Sequence, residues 1–473
     1  MMKRRTLTIV LAVCTAVGCA AQPQGPVYEP VRFEDGTPVT DDAEAEALFA
    51  EDTFLVDTTL TDKGDTLLTF RHASAFVRLQ LDGLPADAGI DKIRLVSMES
   101  GITVLPATIS ESGEFILWKA KKPGRLAAGA AVVQTSDGRL WSARLPALDL
   151  QPGTAYRWTG TFVPPEAPAP GLTARPLSQT LLDIEAGEYS GITHISGNRY
   201  AVVDDNRKGG GILFFSIPIQ PDGTVGRVLM QAADGTSTAT GKAQDCEGVA
   251  FVPSSGTLFV STEKQEIREY DLSGRATGKS LRIPKDLSVK TISDNRGFEA
   301  LTYNEATGLF WTTTESPLVK DTFLPRILRL QSFGLDGKPA ERYLYQMGEP
   351  ARSAANTLAY VFGVPALTAL DDGRLLVLER EVYVPKGSVW DKFQKAFTAM
   401  NLYLVDPVHD TAGILRKSLL CSFKTGALDL ANFEGMCLGP TLPDGTRTLV
   451  LIADSQKGSG GLTSEYVKVI LLR

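Results

Sequence analysis

The chain has 473 residues, a formal net charge of −7, 43% hydrophobic residues and 22% charged residues. This composition is typical of a globular protein, and the length predicts more than one domain. The acidic balance argues against nucleic acid as a partner, because phosphate-backbone binding requires a basic surface.

The N-terminus has the pattern of an export signal. Lys3-Arg4-Arg5 precedes an apolar run, Thr6 to Val17, that is too short to span a bilayer. The run ends in Ala16-Val17-Gly18-Cys19, which resembles a lipobox. That resemblance implies a lipoprotein signal peptide at residues 1–18, lipid attachment at Cys19 and anchoring to the outer membrane or cell surface. An ordinary secretory signal cut near Ala20 or Ala21 is the alternative, and both interpretations predict export.

Three further segments precede the C-terminal part of the chain. Residues 19–49 are rich in Pro, Asp, Glu and Thr without a sustained period, which predicts a flexible tether. Residues 50–163 contain short strand-like runs separated by turn residues, which predicts an antiparallel β-sandwich. The proline-rich residues 164–171 predict a linker. The strand-like runs are Leu67–Leu81, Lys92–Met98, Gly113–Trp118, Ala130–Gln134, Leu140–Ala143 and Ala155–Phe162.

The predicted sandwich resembles the fimbrillin-like domains of Bacteroidetes lipoproteins. The resemblance rests on the segments Phe70–Ala75, Ile90–Met98 and Leu150–Tyr156. It implies a spacer or adhesin-derived module that carries no catalytic residues.

Residues 172–473 contain a repeat of an acid, an apolar strand, a turn with glycine, a second apolar strand and a second acid. A repeat every 50 to 70 residues or so predicts four-stranded propeller blades, and about 300 residues favour six of them. The predicted fold is therefore all-β, with an N-terminal sandwich followed by a six-bladed β-propeller. Tyr466–Leu472 is a suitable closing strand, and Ser388–Met400 predicts a short inserted helix. The strict copies are Asp245–Glu263, Arg296–Glu315 and Asn432–Asp454, and the weaker ones are Ser190–Asp205 and Pro365–Arg380.

The acids of the strict copies are expected to converge. A hairpin with its turn midway brings its two ends together, and the innermost strands of a propeller line one channel. Several carboxylates at one channel mouth suit Ca²⁺, which takes six to eight oxygen ligands. Structural ion pairs between blades are the alternative. The predicted metal-binding pairs are Glu247 with Glu263, Glu299 with Glu315, and Glu434 with Asp454.

Cationic side chains follow several of these acids and predict an anion-binding role beside the metal. No Gly-x-Ser-x-Gly motif occurs, which argues against a serine hydrolase. Cys246, Cys421 and Cys437 have no metal-ligand spacing; buried free thiols and a Cys421–Cys437 disulfide are both open. The predicted anion-binding residues are Arg207, Lys208, Lys264, Arg380 and Lys457.

The repeats resemble the phytase-like propeller family, labelled "esterase-like activity of phytase". The matching segments are Asp245–Gly248, Asn295–Ala300, Thr314–Leu318, Leu376–Arg380 and Asn432–Gly435. The chain departs from the family at Ala300, where glycine is common, and at Asp454-Ser455-Gln456.

The resemblance implies a secreted propeller that hydrolyses a small phosphoester or another ester with Ca²⁺ bound at the channel mouth. Glu247, Glu299, Glu434 and Arg380 are the catalytic residues that it nominates. Two other hypotheses remain: a non-catalytic surface protein that binds a ligand or partner, and a lactonase-like hydrolase of sugar esters.

Overall fold

The computed structural model describes residues 27–28, 54–60 and 66–473, apart from short gaps. The predicted signal peptide, Cys19, Arg207 and Lys208 lie outside the described residues. Among the helices that are described, none has the length and hydropathy needed to cross a bilayer. The gaps after residue 66 are 81, 86, 99–103, 106–107, 110–114, 159, 165, 168, 206–210, 233–244, 289, 293–295, 320, 322–325, 427–428 and 458–462.

Two four-stranded sheets in residues 75–158 share one hydrophobic core. Val77 and Trp118 of one sheet pack in the same cluster as Leu95, Val133 and Trp141 of the other. Alternating apolar residues in these strands place every second side chain in that core. One sheet has the order β11 (Leu140–Leu145), β10 (Gly129–Thr135), β5 (Ile90–Ser97) and β6 (Val104–Leu105). The other has the order β13 (Ala155–Trp158), β4 (Ala75–Gln80), β8 (Phe115–Ala120) and β7 (Thr108–Ile109).

This N-terminal module departs from the prediction in three ways. Strand β13 pairs in parallel with β4, so the sheets are not wholly antiparallel. The predicted single run Leu67–Leu81 is two strands, because the chain breaks at residues 73–74 and enters another sheet. Val27–Tyr28, inside the predicted tether, pairs in parallel with the first of these strands. The remaining strands are β1 (Val27–Tyr28), β2 (Phe54–Leu60), β3 (Thr66–His72), β9 (Arg125–Leu126) and β12 (Leu148–Asp149).

The C-terminal part of the chain forms five antiparallel sheets, here called sheets I to V. Sheet I contains β16 (Tyr189–Ser196), β17 (Arg199–Asp204), β18 (Ile212–Ser216) and β19 (Leu229–Ala232). Sheet II contains β20 (Cys246–Val252), β21 (Thr257–Thr262), β22 (Glu266–Asp271) and β23 (Ala276–Ser280). Sheet III contains β24 (Ala300–Asn304), β25 (Leu309–Thr313), β26 (Ile327–Gly334) and β27 (Pro339–Gln346). A 3-10 helix, Lys285–Leu287, lies between sheets II and III.

Sheets IV and V complete the set. Sheet IV contains β28 (Thr357–Ala369), β29 (Leu375–Pro385), β30 (Phe397–Val405) and β31 (Lys417–Gly426), with helix α1 (Val389–Lys395) between β29 and β30. Sheet V contains β32 (Asn432–Thr441), β33 (Arg447–Asp454), β34 (Tyr466–Leu472) and β14 (Ala174–Pro176), and β15 (Thr180–Leu181) also pairs with β34.

The first strands of the five sheets contact one another in a closed cycle. Strands β16, β20, β24, β28 and β32 are neighbours in that order, and β32 contacts β16. Threonine side chains join adjacent first strands: the Thr193 hydroxyl accepts from the Phe251 N–H at 3.2 Å, and that of Thr302 accepts from the Ala369 N–H at 3.1 Å. We call this arrangement the five-sheet ring.

The prediction of six sheets is wrong for the described residues, which form five. Sheet IV explains the error, because its strands are 13, 11, 9 and 10 residues long and it also contains α1. The prediction assumed an average of about 50 residues per sheet, so it counted part of sheet IV as a sixth sheet. The predicted closing strand is confirmed, since β34 pairs with both β33 and β14.

The N-terminal module packs against sheet III. Val96 and Val132 share a hydrophobic cluster with Ile327 and Leu344. The Arg342 guanidinium donates to the Met98 carbonyl at 2.6 Å. The linker contacts sheet IV, since the Pro170 carbonyl accepts from Arg374 at 2.8 Å and the backbone of Glu166 forms an isolated parallel β-bridge with that of Lys417.

Candidate functional site

The acids of the repeat lie at one end of the five-sheet ring, here called the carboxylate end. In β20, Cys246 lies opposite Thr262 and Val249 opposite Val260, so Glu247 and Gly248 together form a bulge. Strands β16, β28 and β32 have the same kind of irregularity near this end. A bulge re-aims the side chain that it contains, and this shifts the predicted register by one or two residues.

The glycine after the acid is required by the close approach of neighbouring first strands. A Cβ on Gly248 would lie 2.7 Å from the Glu299 carbonyl oxygen, and one on Gly435 would lie 2.6 Å from that of Ser190. The Glu-Gly pair of the repeat therefore serves packing as well as placing a carboxylate. Ala300, which departs from the pattern, has its side chain buried in the core between sheets III and IV.

Three of the predicted metal ligands come together. Glu247 and Glu263 of sheet II and Glu299 at the start of sheet III each offer an oxygen, and these oxygens lie within 4.8 Å of one another. Glu247 and Glu299 are 5% and 9% exposed. We call these residues the carboxylate triad.

Two other predicted ligands are bound by arginine instead. Arg380 of sheet IV contacts Glu315 after β25 and Glu434 of sheet V, and Arg296 contacts Glu315 from the other side. The Asn432 side chain accepts from Arg380 at 3.1 Å and donates to Glu434 at 2.9 Å. We call Arg380, Arg296, Glu315 and Glu434 the arginine cluster, which links sheets III, IV and V.

The structure does not support a free, anion-binding Arg380. Its side chain is only 3% exposed and both of its terminal nitrogens contact carboxylates. Burial lowers the pKa of Arg380, but the charges of Glu434, Glu315 and Glu299 outweigh burial and leave it above its ordinary value. Arg380 is therefore a permanent internal cation.

The remaining predicted residues lie around this centre. Asp454 is buried and accepts from the backbone and side-chain N–H groups of Gln456, both at 2.6 Å. Lys264 is 67% exposed and lies 3.5 Å from Asp245, and Lys457 contacts Glu188 at 3.0 Å. These contacts place both lysines at the rim, each beside an acid.

The sequence interpretation omitted three acids from the site. These are Asp205, Asp245 and Glu188: the charges of Asp245 and Glu188 act on Asp205, as do those of Glu434 and Glu263. Asp205 follows the first hairpin at the position of the second acid in the strict copies, whereas Glu188 lies two residues before Ser190, which replaces their first acid. The weaker first copy of the repeat therefore also indicated acids at this end of the ring.

Comparison with known proteins identifies the family. The family described as "Phytase-like: Esterase-like activity of phytase" matches residues 184–456, more than half of the chain. The chain belongs to this phytase-like family. The match spans β16 to β33 and so covers both the carboxylate triad and the arginine cluster. Comparison with curated proteins gives no match.

The carboxylates of this phytase-like chain are in an environment that disfavours their ionised form. Burial raises the pKa of Glu247 and Glu299 well above the ordinary value, and the negative charges of neighbouring carboxylates raise it further. Burial and the charges of Asp245 and Glu188 raise the pKa of Asp205 to about 7. A cation at this end would reverse these effects.

Two observations indicate that the carboxylate triad suits a hard divalent cation. All the donors are carboxylate oxygens, the ligand type that Ca²⁺ and Mg²⁺ prefer. One oxygen of Glu263, Oε1, is buried without a hydrogen-bond partner. Its other oxygen accepts from the Gly297 N–H at 3.1 Å, which fixes the orientation of the carboxylate.

A small cavity lies directly inward of these acids. Its volume is about 10 Å³, and Glu299, Glu434 and the apolar side chains of the first strands line it. This volume is about that of one water-sized probe. This cavity is therefore too small to hold more than a water-sized group.

The cysteines of the ring take no part in the site. Cys246, Cys421 and Cys437 are all free thiols, so the Cys421–Cys437 disulfide is not formed. Burial raises the pKa of Cys421 to about 11, which keeps it protonated at neutral pH.

Proposed function

We propose that the five-sheet ring is a five-bladed β-propeller that binds Ca²⁺ at its carboxylate end and hydrolyses esters there, phosphoesters first among them. The observation that carries this proposal is the carboxylate triad, two of whose members are buried and none of which forms a direct ion pair with an arginine among the described contacts. Family membership supports ester hydrolysis as the reaction class.

In this proposal, different residues bind the cation, position its neighbours and attract the substrate. Glu247, Glu263 and Glu299 would hold the cation, which supplies positive charge to a substrate oxygen and to an attacking water. Glu434 is held by Arg380 and Asn432, and its other oxygen accepts from the Ser190 hydroxyl at 3.4 Å. Lys264 and Lys457 lie at the rim, where they would attract an anionic ester.

A second candidate is an uncharged ester, such as a lactone or sugar ester. The observation that favours it is the pairing of the cations: Arg380 and Arg296 contact Glu315, and Lys264 and Lys457 each lie beside an acid. An uncharged substrate needs none of these cations. Its carbonyl group requires only the metal and a general base.

The experiment compares the wild-type chain with Glu299→Gln after removal of metal ions by a chelator. We expect added Ca²⁺ to raise the melting temperature of the wild type, by an amount equivalent to about 2.7 kcal/mol at 100 times its dissociation constant. Glu299→Gln should lose that response and at least roughly 100-fold of the turnover. Glu266→Gln, an exposed acid on β22, is the matched control.

The substrates should be a phosphomonoester, an acetate ester and a lactone, each with and without Ca²⁺. Turnover of only the last two would select the uncharged ester. A protein with no Ca²⁺ response and no turnover on any of the three would be a non-catalytic binding protein, and the proposal would fail.

A further inference from the structure

Sheet IV projects beyond the carboxylate end. Gly363 pairs with Arg380 at the level of the arginine cluster, and β28 and β29 continue outward from there to the pair Thr357 and Pro385. At about 3.3 Å per residue, six residues extend roughly 20 Å. The first strands of the other sheets begin near the level of their acids.

Four large apolar side chains are exposed at this end, on sheets III and IV. Val319 follows Glu315 in the loop after β25, Leu358 lies near the outer end of β28, and Val389 and Trp390 begin α1. They are 58%, 61%, 79% and 65% exposed. Trp390 stacks on Phe393, with 5.9 Å between ring centroids, so its ring is held in place at the surface. We call these four residues the apolar crown.

The charge of the segment around α1 is opposite to that of the whole chain. Residues 386–396 contain Lys386, Lys392 and Lys395 but only one acid, Asp391, which pairs with Lys395 at 2.8 Å. The complete chain has a formal net charge of −7. Lysines on both sides of an exposed tryptophan therefore form a local basic and apolar surface.

We propose that the apolar crown docks the carboxylate end of the ring onto an anionic lipid bilayer. Tryptophan and aliphatic side chains enter the headgroup region, and lysines beside them contact anionic headgroups. Because sheet IV projects outward, the crown side chains that it carries reach the bilayer surface before the rest of the carboxylate end does. This docking goes beyond the proposed hydrolase function and does not depend on it.

The test is co-sedimentation of the full chain with vesicles, in a Cys19→Ser background so that no acyl group contributes. Phosphatidylcholine vesicles with phosphatidylglycerol should sediment the protein, and vesicles of phosphatidylcholine alone should do so at least roughly fivefold less well. Val389→Ser with Trp390→Ser should weaken binding roughly tenfold or more. Lys386→Glu with Lys392→Glu should weaken it to a similar extent without changing the apolar side chains.

The matched control is Leu335→Ser, which removes an aliphatic side chain that is 54% exposed in the turn between β26 and β27, at the opposite end of the ring. It should bind vesicles like the wild type. The proposal is overturned if the wild type does not sediment with anionic vesicles, or if both crown variants sediment as well as the control. It is also overturned if the crown variants instead abolish a concentration-dependent dimer in sedimentation velocity, because the crown then binds a second copy.

Discussion

The two sides of the carboxylate end solve the same electrostatic problem in different ways. Between sheets III, IV and V, Arg380 lies among Glu315, Glu434 and Asn432, and the protein supplies its own cation. Between sheets II and III, Glu247, Glu263 and Glu299 approach one another without such a cation among their described contacts. An arginine therefore neutralises one side, and the proposed Ca²⁺ would have the same role on the other side.

The largest effect is expected from removal of the internal cation. Arg380→Met removes the cation that Glu315 and Glu434 share and leaves them with Arg296 and Asn432 respectively, and breaking a buried ion pair in this way costs about 3–5 kcal/mol. Guanidinium chloride unfolding at neutral pH measures the change. Arg268→Met, which removes an exposed arginine paired with Glu266 on β22, is the control and should have little effect. Equal stability of the two variants would contradict the role given to the arginine cluster.

The second-largest effect is expected in the pH dependence of stability, which should differ between the two sides. In metal-free solution the folded pKa values of Glu247 and Glu299 are raised above the ordinary 4.5, so the folded protein binds protons that the unfolded chain releases. Their contribution is therefore complete below pH 4.5 and is lost as the pH rises through the folded values. Each group changes the free energy of unfolding by up to about 1.4 kcal/mol per pH unit in that window.

Ca²⁺ should flatten this dependence, because a bound cation favours the ionised carboxylates. Denaturant midpoints measured from pH 5 to pH 8, a range of about three units around the window, with Ca²⁺ or with chelator, check the prediction. Glu299→Gln should reduce the slope in chelator. A slope that is the same with and without Ca²⁺ would show that the triad does not bind the ion.

A substitution with a smaller expected effect should give the triad an internal cation like that of the arginine cluster. Glu263→Lys places an ammonium beside Glu247 and Glu299, in the role that Arg380 has on the opposite side. We expect a higher melting temperature than wild type in chelator, by an amount equivalent to about 1 kcal/mol, and no further rise with Ca²⁺. Differential scanning fluorimetry measures both, with Glu263→Gln as the neutral control. A variant that still responds to Ca²⁺ would place the ion elsewhere.

The smallest effect on stability is expected at the rim. Lys264→Met and Lys457→Met change exposed side chains, and surface substitutions usually stay within about 0.5 kcal/mol. Their effect should be on substrate capture, with kcat/KM for a phosphoester reduced by up to roughly tenfold at low salt and that for an uncharged ester unchanged. Steady-state kinetics with both substrates would make this comparison. An equal loss on both substrates would argue against electrostatic capture.

The sequence predicted contacts within a hairpin better than contacts between different sheets. Glu247 and Glu263 were placed together by the position of one turn, and the structure confirms that proximity. The same reasoning did not find the partners of Arg380, because Glu315 and Glu434 belong to different sheets and are 65 and 54 residues away. Contacts between sheets depend on ring closure, which a local spacing does not contain.

The number of sheets was missed for a related reason. Repeat spacing gives an average length, whereas sheet IV is longer than the average and includes α1. The acids Asp205 and Glu188 were passed over because the first copy of the repeat has Ser190 where the strict copies have glutamate. The fimbrillin-like resemblance of the N-terminal module and the lipid anchor at Cys19 stay predictions.

The pairing of β14 with β34 has a consequence for the order of folding. Ala174 lies opposite Leu472, so the two strands that complete sheet V are separated by almost the whole ring in sequence. Bringing such distant segments together has a large entropic cost and slows folding. A ribosome must have released Tyr466–Leu472 before the ring can close. Until then, the edge of β33 that β34 will cover has unpaired backbone groups and is open to pairing with other chains.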